Sequence, residues 1–286
     1  MLNSRISPFL TIYNLSDSSY IQYGNIGNGP GEFIAPSLCE MKDPGKIGIY
    51  SNSMNKLDVF HFKSDTLSLV KTFHFPLWNK QRGIPKAYTR LVQYNDSLFI
   101  GTSFMPKEIS VELMNLKTEK VVDCADFPLK PEEEEYSGPY ECKIATGTNF
   151  MVAAYRYINR LEIYRLSAQK FQLKTIIGEA NNQYDLYRLD KDNEMIFHYS
   201  DIVCGENQIY ALYQGVKVKE LSSANSKIEV YSYDGTHLHT FDLGRSIEKI
   251  LVDESSMRIY AFDRNEEEDI VICYTMKKHN MQFKRE

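Results

Sequence analysis

The stretch Gly24-Asn-Ile-Gly-Asn-Gly-Pro-Gly-Glu-Phe33 decides how this chain is read. It sets four glycines and a proline between two apolar, strand-like segments, Tyr20-Ile-Gln-Tyr23 and Ser37-Leu-Cys-Glu-Met41. Glycine reaches positive φ without penalty and proline fixes φ near −65°, so the chain turns sharply here. A phosphate loop also concentrates glycines, but it needs a following Lys-Ser/Thr and a helix to aim its amides, and neither follows. The stretch reads as a crossing from the outer edge of one β-sheet to the inner strand of the next.

A six-residue pattern recurs along the rest of the chain, with apolar residues on alternating positions and then one extra. The copies are Leu10-Thr-Ile-Tyr-Asn-Leu15, Leu57-Asp-Val-Phe-His-Phe62, Val111-Glu-Leu-Met-Asn-Leu116, Leu161-Glu-Ile-Tyr-Arg-Leu166 and Ile228-Glu-Val-Tyr-Ser-Tyr233. A looser copy is Ile270-Val-Ile-Cys-Tyr-Thr275. Such alternation is a strand signal, and a spacing of roughly 40 to 65 residues is that of propeller blades. Every copy but the first has another strand upstream, such as Lys46-Ile-Gly-Ile-Tyr50 or Phe150-Met-Val-Ala-Ala154. A polar turn and a fourth strand follow most copies; Tyr233-Asp-Gly-Thr236 carries the Asp-Gly hairpin signal. The unit is four antiparallel strands, inner to outer, and radial stacking covers both faces of each.

Six copies predict an all-β, six-bladed β-propeller of four-stranded antiparallel blades, forming a single domain over residues 1–286. Only five copies of the two inner strands are visible, so the first blade is expected to be incomplete at its N-terminus. The missing pair is expected upstream of Met1, in roughly 30 residues or more, rather than in the C-terminal segment.

The pattern Gly24-x-x-Gly27-x-Gly29-Pro30-Gly31-Glu32-Phe33, following Leu10-Thr-Ile-Tyr13, resembles the TolB-like six-bladed β-propeller family of bacterial envelope proteins. The resemblance implies a propeller fold and a place in the periplasm or cell envelope. It implies little about activity, since most members have none assigned. In that family a leader and the inner strands of blade one precede the motif. Here Met1-Leu-Asn-Ser-Arg5 has no apolar core of a signal peptide.

Composition excludes several partners. Lys+Arg 33 against Asp+Glu 38 leaves a net charge of −5, without the basic stripe a nucleic-acid backbone needs. No apolar run approaches membrane-spanning length. Twenty tyrosines and fifteen phenylalanines beside a single tryptophan, Trp78, suit strands and exclude propellers built on repeated Trp motifs. The five cysteines, Cys39, Cys124, Cys142, Cys204 and Cys273, are scattered and form no CxxC pair, so they read as buried thiols.

No metal or cofactor is expected. The acidic runs Glu132–Glu135 and Glu266–Asp269 lack the interleaved small residues of a calcium loop and read as solvated turns. His237 and His239 share one face of an outermost strand, where exposure explains them. No GxSxG, HExxH or Walker pattern occurs, so no catalytic residue is assigned.

One positional pattern is more suggestive. Aromatic and charged residues sit where inner strands begin and second strands end: Tyr88 and Arg90, Tyr140 and Glu141, Tyr155-Arg-Tyr157, His198-Tyr199, Tyr213-Gln214 and Asp263-Arg264. In a propeller these positions rim the central opening. Flat rings and forked donors there suit a small molecule, glycan or peptide, or another envelope protein. The candidate ligand-binding residues are therefore Arg90, Tyr155, Arg156, His198, Tyr199 and Tyr213. Tyr155, Arg156 and Tyr213 would stack and carry charge, while Arg90 and His198 would add donors. A non-enzymatic binder is the favoured reading. The alternative is a hydrolase or lyase acting on a sugar, lactone or peptide through a channel carboxylate and His198.

Overall fold

A computed structural model describes residues 6–14, 19–63, 65–75, 78–79, 84–85, 88–103, 110–126, 141–178, 194–265 and 271–276. The two acidic runs lie outside these residues. The chain divides into two compact units, residues 1–126 and 127–286. Both are built from antiparallel sheets.

In the first unit, β1 (Leu10–Tyr13) and β2 (Tyr20–Tyr23) form a hairpin. The glycine-rich stretch follows, its two arms β3 (Asn25–Ile26) and β4 (Glu32–Phe33) held in parallel. Glu32 closes the loop, accepting the Gly29 N–H at 2.7 Å. A Cβ on Gly27 would lie 2.1 Å from the same carboxylate oxygen, so any side chain there would have to push Glu32 off its Gly29 contact. Gly24 has φ +83°, and a Cβ on it would strike the Phe9 ring. Phe33 at the far end is inserted into a buried cluster with Phe9, Leu10, Ile49 and Phe60. The loop therefore carries the chain from an outer strand to the next inner strand, as the sequence predicts, and its Phe33 joins the β1–β2 hairpin to β6 and β7 in one core.

The next sheet runs β5 (Pro36–Glu40), β6 (Lys46–Ser51), β7 (Lys56–Lys63) and β8 (Thr66–His74). A short hairpin, β9 (Trp78–Asn79) with β10 (Ile84–Pro85), leads to β11 (Tyr88–Gln93), β12 (Leu98–Ser103), β13 (Ser110–Asn115) and β14 (Lys120–Asp126). One arrangement goes beyond the sequence reading. The two innermost strands, β5 and β11, pair in parallel at Leu91–Cys39 and Val92–Glu40, which joins two four-stranded sheets into one of eight. Innermost strands converge, and here they come close enough to share a ladder.

The second unit contains β15 (Cys142–Thr146), β16 (Phe150–Tyr155), β17 (Arg160–Ser167) and β18 (Lys170–Gly178) as one sheet. The next has β19 (Ile196–Cys204), β20 (Gln208–Lys217), β21 (Lys227–Ser232) and β22 (His237–Asp242). The last has β23 (Ile247–Asp253), β24 (Arg258–Asp263) and β25 (Val271–Thr275). Inner strand β15 lies beside β19, and β19 beside β23, so the sheets of this unit stack around their inner edges. Gln214 bridges two of them: its side-chain N–H groups donate to Ser200 Oγ at 2.8 Å and to the Ile247 carbonyl at 2.9 Å.

The recurring six-residue pattern lies on β1, β7, β13, β17, β21 and β25, third from the inner edge in every sheet that has an inner edge described. The reason is burial. A third strand is covered on both faces, as β17 is, so its first, third, fourth and sixth pattern residues are all apolar. The outer strand β18 has no buried residue and interleaves polar with apolar side chains. Opposite the third and fourth pattern residues of β7, β13, β17 and β21 the outer strand carries one extra residue, Val70, Val122, Lys174 and Leu238 in turn, whereas β1 and β2 pair without a shift. A bulge repeated at this point twists the outer edge and discourages edge-to-edge pairing.

Cys39 and Cys142 are buried thiols as expected, but Cys124 is exposed because it lies on the outermost strand β14. His237 and His239 are exposed on β22. No helix among the described residues is long and apolar enough to cross a membrane.

Candidate functional site

The pattern's second residue is the feature that sequence reasoning overlooked. Asp58, Glu112, Glu162 and Glu229 occupy it in four copies, and the first three are almost wholly buried. A buried carboxylate is costly unless its oxygens are satisfied. Here tyrosines satisfy them. The Tyr88 hydroxyl donates to Glu112 at 2.8 Å. Tyr155 and Tyr164 both donate to Glu162, at 2.8 and 2.7 Å. Tyr199 and Tyr231 both donate to Glu229, at 3.2 and 2.9 Å. Asp58 instead takes Thr72 Oγ1 at 2.6 Å and Lys56 Nζ at 2.9 Å. Burial, reinforced by the neighbouring carboxylates, pushes the Tyr88, Tyr155 and Tyr199 hydroxyls well above the ordinary phenol value. They stay protonated and act as donors.

These pins decide what two candidate residues do. Tyr155 and Tyr199 are 1% and 2% exposed, so their rings are packing and their hydroxyls are committed to the carboxylates. Neither presents a ring face to solvent. Arg90 belongs to the first unit, where its guanidinium lies 3.8 Å from Glu40 beside the parallel junction of β11 and β5.

The other three come together in the second unit, where β16 ends and β19 begins. The Arg156 N–H donates to the Glu141 carbonyl at 2.9 Å and its Nη1 to Glu141 Oε2 at 2.5 Å. The guanidinium carbon lies 5.1 Å from the centre of the Phe197 ring, in a cation–π contact. The next residue on β19 ties in the backbone, with the His198 N–H donating to the Arg156 carbonyl at 2.6 Å. The His198 ring is 5.9 Å from the Tyr213 ring, which in turn is 5.2 Å from that of Tyr199. Arg156 Nε and His198 Nδ1 are both buried without a hydrogen-bond partner among the described residues. Beyond them, at the end of β20, Lys217 and Lys219 both hold the exposed Glu194 carboxylate.

Burial pulls the His198 pKa down from an ordinary 6.5 to about 4, so the ring is neutral at physiological pH. The folded state therefore refuses a proton that the unfolded chain accepts between those values. Stability from this group is complete above pH 6.5 and is lost as pH falls towards 4. Comparing wild type with His198→Asn in denaturant melts across this range is expected to show a difference of up to about 3 kcal/mol, growing with acidity. A difference that is flat with pH would contradict a buried neutral imidazole.

Stacked antiparallel sheets, with a repeated third strand and short inner strands lying side by side, define a β-propeller. The chain matches the family model described as TolB-like 6-blade propeller-like over residues 3–255, and it belongs to that family. No curated protein matches it in sequence. Among solved structures, a member of the DUF4221 family from Bacteroides vulgatus is similar, with TM-score 0.66 and 12% identity over 99% of this chain and 88% of that one. A candidate exported protein from Bacteroides fragilis aligns with TM-score 0.55 and 14% identity, over 91% and 77%. The WD40 domain of Toxoplasma gondii coronin aligns with TM-score 0.51 and 6% identity, over 84% and 55%. At such identities these likenesses speak of fold alone.

Proposed function

We propose that this protein is a non-enzymatic binding propeller of the bacterial envelope. It takes a glycan, peptide or small metabolite at the face carrying Arg156, His198 and Tyr213, and the bound group is rich in hydrogen-bond acceptors. The observation that carries this is that Arg156 Nε and His198 Nδ1, two of three buried side-chain nitrogens without a partner among the described residues (the third is Arg264 Nε), lie together where β16 ends and β19 begins. Buried polar nitrogens without partners are rare; an acceptor on a ligand would satisfy Arg156 Nε, and the tautomer of the neutral His198 ring sets whether Nδ1 takes an acceptor or a donor. Tyr213, only partly covered, adds a ring beside them. Tyr155 and Tyr199 support this face from within, and Arg90 is assigned to the junction of the first unit. The envelope location rests on the family and on the exported character proposed for one structural neighbour.

His198 also weighs against the alternative of a hydrolase or lyase. An imidazole with a pKa of about 4 is a weak general base at neutral pH. A thermal-shift screen of glycans, peptides and metabolites tests the proposal. For the best ligand found, Arg156→Ala is expected to cost about ten- to hundred-fold in affinity, the worth of a charge-assisted hydrogen bond. Affinity indifferent to both Arg156→Ala and Tyr213→Ala would overturn it. Turnover of a sugar, lactone or peptide that disappears in His198→Ala would make the protein an enzyme.

A further inference from the structure

A recess lies in the first unit, between the facing ends of β1 and β2 at Tyr13 and Tyr20 and the residues Phe62 and Asp65 where β7 gives way to β8. It is an open cleft of about 490 Å³, within the range of small-molecule sites. Tyr13, Tyr20 and Phe62 line it together with Ile12 and Ile21, and its polar groups are Asn14, Ser19 and Asp65.

The tyrosines here are unlike those elsewhere. Tyr88, Tyr155 and Tyr199 are buried with their hydroxyls on carboxylates, whereas Tyr13 and Tyr20 are 44% and 60% exposed. They are side-by-side cross-strand neighbours on the hairpin, with ring centres 5.8 Å apart and planes tilted by 46°. Asp65 stands opposite on the β7–β8 turn, at φ +60°. Among the described residues no cation pairs with its carboxylate, and no Lys, Arg or His lines the cleft.

We propose that this cleft binds the ring of a neutral sugar, independently of the Arg156 face. The apolar C–H face of a pyranose lies on a phenol ring, and its hydroxyls donate to an acceptor such as Asp65. The Asp65 carboxylate, with no cation lining the cleft among the described residues, repels an anionic ligand. A quaternary ammonium group is favoured by rings that surround it. The two rings here stand side by side.

The test is a titration of the full chain with cellobiose, chitobiose, maltose, lactose and mannobiose, followed by saturation-transfer NMR. At least one disaccharide is expected to bind saturably, with the strongest transfer to its ring C–H protons. Tyr20→Ala is expected to weaken that binding about tenfold and Asp65→Ala by a similar factor, whereas Arg156→Ala leaves it unchanged. Both altered side chains are at the surface, and a circular dichroism melt confirms that the variants are folded. The proposal fails if no disaccharide binds saturably, if binding ignores Tyr20→Ala, or if a peptide or tetramethylammonium occupies the cleft in place of the sugars. Loss of sugar binding in Arg156→Ala would assign the sugar to the other face.

Discussion

Glu162→Ala is expected to destabilise the second unit by about 3–5 kcal/mol, the cost of stripping a buried ion of its partner. Glu162 is 2% exposed and holds Arg160, itself 5% exposed, through Nε at 2.8 Å and Nη2 at 2.6 Å. The same carboxylate receives the hydroxyls of Tyr155 and Tyr164. Removing it takes a hydrogen-bonding partner from one buried guanidinium and two buried phenols at once. The double variant Arg160→Met/Glu162→Leu removes both charges and should recover a large part of the loss, because apolar replacement of a buried pair is often neutral. Urea midpoints at constant slope measure both effects. A loss below about 1 kcal/mol for Glu162→Ala would show that solvent reaches the network.

Phe33→Ala is expected to cost a similar amount, about 3–5 kcal/mol, by opening a cavity in a core that cannot collapse around it. Phe33 is 1% exposed, meets the Phe9 ring edge-on at 5.1 Å and lies under Lys56 Nζ at 4.9 Å. The effect should be local. Hydrogen exchange is expected to accelerate in β1 and β6, which share this cluster, while β17 keeps its protection. Uniform acceleration in both units would mean that they unfold as one body, and an unaltered β1 would mean that the glycine-rich crossing does not anchor the first hairpin.

The fold was legible because its central strand repeats. A strand covered on both faces is nearly all apolar, and six such segments at blade spacing leave few alternatives. The parallel joining of β5 and β11 was not legible, since two bridging pairs between short strands leave no trace in composition. The candidate site was half legible. Position alone placed Arg156, His198 and Tyr213 where strands start and end, and the structure brings them together. The same argument could not see that Tyr155 and Tyr199 point inward, because alternation does not say which face is covered when both are. The missing clue was in plain sight: an acidic residue at the second pattern position of Leu57-Asp-Val-Phe, Val111-Glu-Leu-Met, Leu161-Glu-Ile-Tyr and Ile228-Glu-Val-Tyr. A carboxylate at a fixed place on a doubly buried strand needs donors, and the nearby tyrosines are those donors.

The most direct test of the Arg156 face is a hydrogen-exchange footprint of the wild-type chain with the tightest ligand from the screen. Protection is predicted at 155–157, 196–199 and 213–217, where strand ends carry Arg156, His198 and Tyr213. Protection confined to the outer strands β18 and β22, with those segments unchanged, would contradict it.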